Sequence, residues 1–283
     1  MEFRSDARPS PIAGTWYTGD PDVLTRQVDE FLQAAKIKTG ELKGKVIGLV
    51  TPHAGHRYSG KTAAYAYKTL LNQPRELVVI LSPFHQYFPA DFSTTAHRAY
   101  LTPLGEVEVA RKELISLEKL LLDQGIELFQ VARDGEHSLE IQLPFLQRVW
   151  KKTFILLPVM IRTHDKLKIK AFADALYEAV KHLNCVIVAS SDLSHFSPLE
   201  IAESLDAETL KRIRHHDPEA VLAGETEGDA PACGSAAIAA MLWTTKLMGA
   251  KTVQILNYST SADSTGDDSS VVGYGSAAVL LPQ

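Results

Sequence analysis

The chain has 283 residues, of which 45% are hydrophobic and 22% are charged, a composition typical of a globular protein with a large buried core. Its formal net charge of −5 disfavours a nucleic-acid-binding protein, because such proteins carry an excess of basic residues. It has no apolar run near the roughly 20 residues that cross a bilayer, no signal peptide, and too few cysteines for a disulfide framework. We therefore expect a soluble, cytoplasmic protein with no membrane or nucleic-acid partner.

The predicted elements alternate between strand and helix along the chain. Residues 1–20 are predicted to form an extended arm, and Asp20-Pro21 predicts the start of a helix, because proline is favoured at the first helical position. Short, continuous apolar runs predict buried strands at 46–51, 77–82, 154–161, 185–191, 252–259 and 271–281. Apolar residues at helical spacing predict further helices at 60–72, 107–122, 138–150, 166–182, 199–214 and 234–248.

This alternation indicates a single α/β domain over residues 1–283, with a mainly parallel sheet covered by helices. Residues 92–101 are predicted to form an edge hairpin or an irregular insertion. The polar stretch 259–270 is predicted to be a loop between the last two strands.

Polar side chains follow three of the predicted strands directly. His53 follows the first strand, His85 follows the second, and Asp192 and His195 follow the fourth. Because the carboxyl ends of parallel strands meet at one edge of a sheet, we expect these side chains to converge. Imidazoles with a carboxylate or thiolate are ligands for transition metals, so the sequence predicts a metal site at this edge.

Cys233 is the candidate thiolate. It precedes a predicted helix, whose dipole is expected to lower the pKa of the thiol, and the thiolate is the form that binds metals or attacks electrophiles. The alternative interpretation is a small buried hydrophobic residue, the commonest role of a free cysteine, and Cys185 inside a predicted strand fits that role.

Glu136 and His137 join the candidate site with less support. Ser138 and Glu140 can be explained by capping of the helix that follows, whereas Glu136 and His137 have no such local role. His56 lies in the loop after the first strand. The remaining histidines lie among polar or helical residues and are interpreted as surface residues: His97, His164, His182, His215 and His216.

Several motifs together carry a resemblance to a known family. TPHAGHRYSG (51–60), LSPFH (81–85), DGEHSLEIQLPFL (134–146), ASSDLSHF (189–196), ACGSAA (232–237) and DSSVVGYGSAA (268–278) occur in the order seen in the Memo family, whose prokaryotic members are also called AmmeMemoRadiSam system protein B. The resemblance extends from the N-terminal arm to the last predicted strand.

The resemblance implies a three-layer α/β/α sandwich related to class III LigB-type extradiol dioxygenases, which hold non-haem Fe(II). The metal ligands of the family correspond to His53, His85 and Cys233, and the neighbouring polar pair corresponds to Asp192 and His195. Eukaryotic members have been described as iron- or copper-binding, redox-related proteins and as partners in receptor signalling. Prokaryotic members resemble components of a system with a radical SAM protein and an AMMECR1-type protein, which are therefore the expected partners.

The chain departs from the family in two ways. Gln86 and Gln142 stand where eukaryotic members have further histidines. The dioxygenases use two histidines and a glutamate, whereas the third ligand here would be Cys233, and a thiolate favours Cu(I) more than a carboxylate does.

Three functions remain open from the sequence. The first is a redox metalloenzyme, dioxygenase-like, with Fe(II) as the expected metal and copper or zinc as alternatives; His195 would be its acid/base and Asp192 would orient it, with Glu136 and His137 also catalytic. The second is a non-catalytic metal-binding or scaffold protein that receives a partner peptide in the same pocket. The third is a metal-free thiol enzyme with Cys233 as its nucleophile.

Overall fold

The computed structural model describes residues 1–37, 42–150 and 152–282. The strands are β1 (Ala7–Arg8), β2 (Lys45–Thr51), β3 (Leu77–Pro83), β4 (Phe92–Thr95), β5 (Ala99–Thr102), β6 (Gly105–Glu108), β7 (Leu128–Val131), β8 (Ile155–Ile161), β9 (Cys185–Ser190), β10 (His195–Ser197), β11 (Thr252–Thr260) and β12 (Val271–Leu281). The α-helices are α1 (Pro21–Ala34), α2 (His56–Lys68), α3 (Arg111–Leu122), α4 (Leu143–Val149), α5 (Lys166–Val180), α6 (Leu199–Arg214), α7 (Pro218–Glu227), α8 (Ser235–Leu247) and α9 (Ala262–Thr265), and a 3₁₀ turn spans Glu140–Gln142.

The main sheet has four adjacent parallel strands at its centre, in the order β2-β9-β3-β8. Their apolar, β-branched residues are buried along nearly the whole of each strand, because helices cover both faces of the sheet. The carboxyl ends of these four strands therefore lie at one edge. This is the edge at which the sequence predicts the site.

Both flanks of the sheet contain antiparallel strands. β12 runs antiparallel to β2, β10 and β11, and β4 runs antiparallel to β8 and carries β7 as a parallel neighbour. The β11–β12 connection contains only a short helix, and an antiparallel partner needs no long crossover. The sheet is thus mixed, with the predicted parallel arrangement at its centre.

Helices form a layer on each side of the sheet. On one side α8 packs on β2, β3 and β9 and is covered by α5 and α7. On the other side α2 packs on β2, β11 and β12 and is joined by α1 and α4. The predicted α/β class and its helix–sheet–helix layering are confirmed.

Several element boundaries differ from the sequence predictions. Helix α1 begins as predicted, with the Asp20 carboxylate accepting hydrogen bonds from the backbone N–H groups of Asp22 and Val23 at 2.9 Å. Helix α2 begins earlier than predicted, at His56. The predicted helix 107–122 begins only at Arg111, because its first residues end strand β6. Elements β6, β7, β10, α7 and α9 were not predicted. The stretch 259–270, predicted to be a loop, contains the end of β11 and the short helix α9.

Residues 92–101 belong to two different sheets. Strand β4 extends the main sheet, whereas β5 pairs with β1 of the N-terminal arm and with β6 in a small three-stranded sheet. His97, in the turn between them, is buried and contacts Asp6 and the Ala132 carbonyl. His216 is also buried, against the Leu242 carbonyl, so the surface interpretation of these two histidines is wrong.

No helix in residues 1–37, 42–150 and 152–282 is both long enough and apolar enough to cross a membrane.

Candidate metal centre

Three histidines converge at the carboxyl edge of the parallel strands. His53 follows β2, His85 follows β3, and His137 lies in the loop before the 3₁₀ turn. One ring nitrogen of each lies within 4.8 Å of the corresponding nitrogens of the other two. In the part of the chain that the structure describes, this is the one group of three or more metal-ligating side chains found so close together.

A chain of hydrogen bonds sets the tautomer of His53. The Ser190 hydroxyl donates its proton to the Ser138 carbonyl at 2.6 Å, so its oxygen accepts from Nδ1–H of His53 at 3.1 Å and from the amide of Gln142 at 2.8 Å. Nε2 of His53 is therefore left with its lone pair free. Burial and the neighbouring His137 hold the pKa of His53 well below its ordinary value, and the neutral imidazole is the form that binds metals.

The side-chain amide of Gln142 makes four hydrogen bonds. Its amide oxygen accepts from Thr51 and Tyr67, and its nitrogen donates to Ser190 and the Pro52 carbonyl. This buried amide supports Ser190, which in turn orients His53.

Glu136 organises the other two histidines. Its carboxylate accepts from the backbone N–H and Nδ1–H of His85, at 2.6 and 2.9 Å, and from the backbone N–H of His137 and Ser138. Burial alone raises the pKa of Glu136, but the hydrogen bonds from His85 and from the backbone N–H of Ser138 outweigh burial and hold it below the ordinary value. The carboxylate–histidine pair leaves Nε2 of His85 free, the arrangement by which carboxylates orient metal-binding histidines.

His137 lies between His85 and the N-terminal arm. Its ring stacks on His85 with centroids 4.8 Å apart and on Trp16 with centroids 3.9 Å apart. Burial lowers the pKa of His137 to about 4, which keeps its imidazole neutral at physiological pH. The sequence placed His137 among the catalytic residues; the structure brings it into the cluster of candidate ligands.

Cys233 lies beside the cluster and not within it: its Sγ is 3.1 Å from Nε2 of His53, but among the described residues the group whose ligand atoms all lie within 4.8 Å of one another consists of the three histidines. The structure thus brings together His53 and His85 of the expected ligand set and adds His137. The turn before α8 lies so close to the end of β9 that a Cβ atom at Gly234 would overlap the Ser190 carbonyl oxygen. The expected lowering of the thiol pKa is wrong. Burial and the nearby Asp192 raise the pKa of Cys233.

Asp192 pins the loop that carries His53. Its carboxylate accepts from the backbone N–H of His53 at 2.7 Å and of Ala54 at 3.2 Å, and lies 3.9 Å from Nε2 of His53. Burial raises the pKa of Asp192 to about 7. His195 lies at the exposed rim, where its Nδ1–H donates to the Leu193 carbonyl at 2.8 Å.

Strand β12 holds the loop that carries Asp192 through two backbone hydrogen bonds. The backbone N–H of Leu193 donates to the Gly273 carbonyl at 2.8 Å, and that of Gly273 donates to the Ser194 carbonyl at 2.9 Å. Glycine is required at 273, because a Cβ there would overlap the buried carboxylate of Asp206.

The N-terminal arm fixes the segment that carries Glu136 and His137. The buried guanidinium of Arg8 pairs with the carboxylates of Asp134 and Glu140 and donates to the Glu136 carbonyl at 2.8 Å. The Tyr17 hydroxyl also donates to Glu140, at 2.6 Å. The sequence reasoning missed Arg8, as it missed Ser190 and Gln142 as supports, because nothing local in the sequence links them to the site.

Comparison with known proteins identifies the family of the chain. Residues 8–278 match the family described as Memo-like protein. The chain belongs to the Memo family. A MEMO1 family protein of Nitrosopumilus maritimus is 34% identical over 273 residues, which cover 95% of this chain and 98% of the relative.

Two further relatives and one solved structure extend the comparison. MEMO1 family proteins of Methanococcoides burtonii and Ignicoccus hospitalis are 34% and 32% identical, and each alignment covers 97% of this chain and 99% of the relative. The crystal structure of an uncharacterized protein from Escherichia coli K12 aligns with a TM-score of 0.54 at 13% identity, over 82% of this chain and 99% of that chain. This last similarity concerns the fold alone.

The residues of this Memo-family chain fit a transition metal ion. The cluster offers imidazole nitrogens, including Nε2 of His53 and of His85, and a sulfur beside His53, which suit iron, copper and zinc. A hard, oxygen-preferring ion such as Mg²⁺ or Ca²⁺ would find few oxygen ligands here, because the Glu136 carboxylate is occupied by N–H donors.

Proposed function

We propose that this Memo-family protein binds one transition metal ion, Fe(II) first and copper or zinc as alternatives, and uses it in dioxygenase-like redox chemistry. His53, His85 and Cys233 are the proposed ligands, with His137 as a further nitrogen donor. The observation that carries the proposal is the convergence of three imidazole nitrogens within 4.8 Å, two of them on rings whose other nitrogen is held by a hydrogen bond.

The distance between His53 and Cys233 supports joint ligation. Donor atoms in a tetrahedral site with metal–nitrogen and metal–sulfur distances of about 2.0 and 2.3 Å lie about 3.5 Å apart. Nε2 of His53 and Sγ of Cys233 are 3.1 Å apart, so a small adjustment brings both to one ion. Metal binding would deprotonate the thiol despite its raised pKa, because the ion stabilises the thiolate.

The polar residues around the cluster have distinct proposed roles. A bound metal would supply Lewis-acid and electron-transfer chemistry. Asp192, whose pKa is raised to about 7 by burial, is suited to exchange a proton near neutral pH. Glu136 orients His85 through the 2.9 Å hydrogen bond to Nδ1, and the exposed His195 is placed to exchange protons with solvent.

The metal-free thiol enzyme is the least supported of the three hypotheses. A thiol nucleophile needs a lowered pKa or an adjacent base. Nε2 of His53 lies 3.1 Å from Sγ of Cys233 and could be that base, but burial raises the pKa of Cys233, and the hypothesis gives no role to the convergence of His85 and His137 on His53. The non-catalytic metal-binding or scaffold protein uses the same cluster, so it is separated from the enzyme by turnover and not by metal content.

The test is elemental analysis of protein purified without chelators and of protein reconstituted anaerobically with Fe(II). Near-stoichiometric metal is expected in the wild type, with loss in His53→Ala, His85→Ala, His137→Ala and Cys233→Ala, each checked for folding by circular dichroism. The control is His164→Ala, which changes an exposed histidine and is expected to retain the metal.

The outcomes separate the hypotheses. Metal lost in the four variants, together with oxygen consumption on a panel of catechols, supports the enzyme. The same metal content without turnover supports the non-catalytic alternative. Wild-type protein that holds no metal after reconstitution would refute the proposal, and retention by His137→Ala alone would restrict the ligands to His53, His85 and Cys233.

A further inference from the structure

An open cleft of about 480 Å³ lies beside the histidine cluster. This volume is within the range of about 300–1,000 Å³ found for small-molecule sites. Most of its lining is apolar or aromatic, and it includes Trp16, Ala54, Tyr58, Phe196, Val272 and Tyr274. The cleft thus has the size and surface of a site for a small organic molecule.

The cleft shares residues with the cluster. Trp16 lines the cleft and stacks on His137 with ring centroids 3.9 Å apart. Ala54 lines it next to His53 and donates its backbone N–H to Asp192 at 3.2 Å. Phe196 lines it next to His195, with ring centroids 5.6 Å apart. A molecule in the cleft would therefore contact Trp16, Ala54 and Phe196, which in turn contact or adjoin His137, His53 and His195.

The lining indicates an uncharged ligand. Among the described residues that line the cleft, none carries a formal charge at neutral pH, and the polar ones present hydroxyl groups, such as Ser261 and Ser270. A carboxylate or phosphate would lose hydration here without gaining a cationic side chain in the lining. Hydroxyl groups can instead exchange hydrogen bonds with a neutral polar substituent.

Phe196 is held in an unfavourable backbone conformation at this cleft. Its φ angle is 59°, in the left-handed region, and its side chain is 76% exposed. A bulky residue rarely adopts this conformation, and such strain concentrates at functional sites. An exposed phenyl ring gains nothing for the fold from this arrangement, whereas it adds an aromatic surface to the mouth of the cleft.

We propose that the cleft binds a neutral, small aromatic molecule, whose ring packs against Trp16, Tyr58 and Phe196, as the substrate of the neighbouring metal centre. The inference rests on the proposed function, because the ligand is a substrate only if the cluster holds the reactive metal. Binding itself depends on the cleft and not on the metal, since the lining contains none of the proposed ligands.

The experiment is a ¹⁹F NMR titration of the full chain with three fluorinated probes. 4-Fluorophenol is neutral and aromatic, 4-fluorobenzoate is aromatic and anionic, and 4-fluorocyclohexanol is neutral and not aromatic. 4-Fluorophenol is expected to bind at least about tenfold more tightly than either of the others. 4-Fluorocyclohexanol lacks the aromatic contacts, and binding of 4-fluorobenzoate requires its charged carboxylate to be desolvated. Equal binding of 4-fluorobenzoate, or of 4-fluorocyclohexanol, would overturn the proposal.

Phe196→Gly provides the sharpest variant. Glycine tolerates a positive φ, so the variant is expected to unfold at an equal or higher urea concentration, while its dissociation constant for 4-fluorophenol rises about three- to tenfold. Asn72→Gly, at another position with positive φ, and Tyr87→Ala, at an exposed aromatic residue outside the cleft, are expected to leave the affinity unchanged. An unchanged affinity in Phe196→Gly would contradict the assignment of the ring.

Each titration is run on chelator-treated and on Fe(II)-loaded protein. Selective binding to both forms supports the cleft. Selective binding by protein that never retains metal would preserve the cleft as a binding site and refute the metal centre. Stoichiometric metal without selective binding of 4-fluorophenol would support the metal centre and refute the cleft as a binding site.

Discussion

His53 and His85 contribute to one cluster but depend on different kinds of support. The surroundings of His53 form what we call the interior side, which consists of the buried, neutral groups of Ser190 and Gln142 that set the tautomer of His53. His85 lies on an arm side, where the carboxylate of Glu136 orients it and the buried Arg8 of the N-terminal arm fixes the segment of Glu136. The interior side is built by uncharged groups at the end of β9 and in the 3₁₀ turn, whereas the arm side is built by charged groups of the arm and of the segment before that turn.

The two sides should therefore respond differently to perturbation. Strand ends in the parallel sheet bring the interior groups together whatever the surface does. The arm side relies on buried ion pairs, which are costly to break because each partner is left charged and desolvated. The three predictions that follow compare these two kinds of support.

The largest expected effect is that of Arg8→Ala. Removing this guanidinium leaves Asp134 and Glu140 buried without their cation, and breaking a buried pair typically costs about 3–5 kcal/mol. We expect this loss in the free energy of unfolding measured with urea, together with reduced metal content. Arg4→Ala, which removes an exposed partner of Asp6, should change neither, and a stable, metal-replete Arg8→Ala would show that the arm side does not depend on the arm.

The next effect compares the supports of the two histidines. Loss of a group that orients a metal-binding histidine typically weakens metal affinity about 10–100-fold, or about 1.4–2.8 kcal/mol. We expect this in Ser190→Ala on the interior side and in Glu136→Gln on the arm side, measured by competition with a chelator.

Ser93→Ala is the matched control. The Ser93 hydroxyl is buried and has no hydrogen-bond partner in the described part of the chain, so its removal should leave metal affinity unchanged. If Ser190→Ala behaves like Ser93→Ala while Glu136→Gln loses the metal, the arm side alone orients the ligands.

The smallest effect concerns acid. His56 is buried next to the interior side and donates Nε2–H to the Ile141 carbonyl, and burial lowers its pKa to about 4. Between that value and the unfolded value near 6.5, the unfolded chain binds more protons, so stability falls as the pH falls. We expect about 2 kcal/mol of unfolding free energy to be lost through His56 between pH 7 and pH 5.

His56→Gln should remove this part of the pH dependence, and the exposed control His182→Gln should preserve it. The arm-side carboxylate Glu136 does not contribute in this range. The pKa of Glu136 in the folded protein lies below its ordinary, unfolded value. Its contribution to stability is therefore fully present above the unfolded pKa and is lost as the pH falls below it. His53 and His137, whose pKa values are also lowered by burial, leave a pH dependence in His56→Gln, so the quantity measured is the difference from the wild type. An equal loss of unfolding free energy between pH 7 and pH 5 in His56→Gln and in the wild type would contradict the prediction.

The sequence predicts the residues that follow the strands better than the groups that support them. His53, His85 and Asp192 could be placed together because each follows a strand whose apolar run is visible in the sequence. Ser190 belongs to such a run, so nothing distinguished its hydroxyl from a packed core residue. The parallel centre of the sheet was predictable for the same reason, and the antiparallel flanks were not.

The arm side depends on contacts that no local pattern reveals. Arg8 and Asp134 are 126 positions apart, and their pairing depends on the path of the arm over the finished fold. The thiol of Cys233 was placed near the cluster by resemblance, but its pKa was predicted in the wrong direction because burial is invisible in the sequence. The radical SAM and AMMECR1-type partners stay a prediction.

The position of β12 in the sheet determines when the site can be assembled during protein synthesis. The ribosome makes this strand after every element that it joins, yet it pairs with β2, with Ala277 opposite Val50, and its Gly273 closes the loop of Asp192. Pairing between such distant segments is slow, so the growing chain exposes its histidines and cysteine before the pocket is complete. We therefore expect the metal to be acquired after translation, and iron held by a ribosome-bound chain that lacks β12 would contradict this order of events.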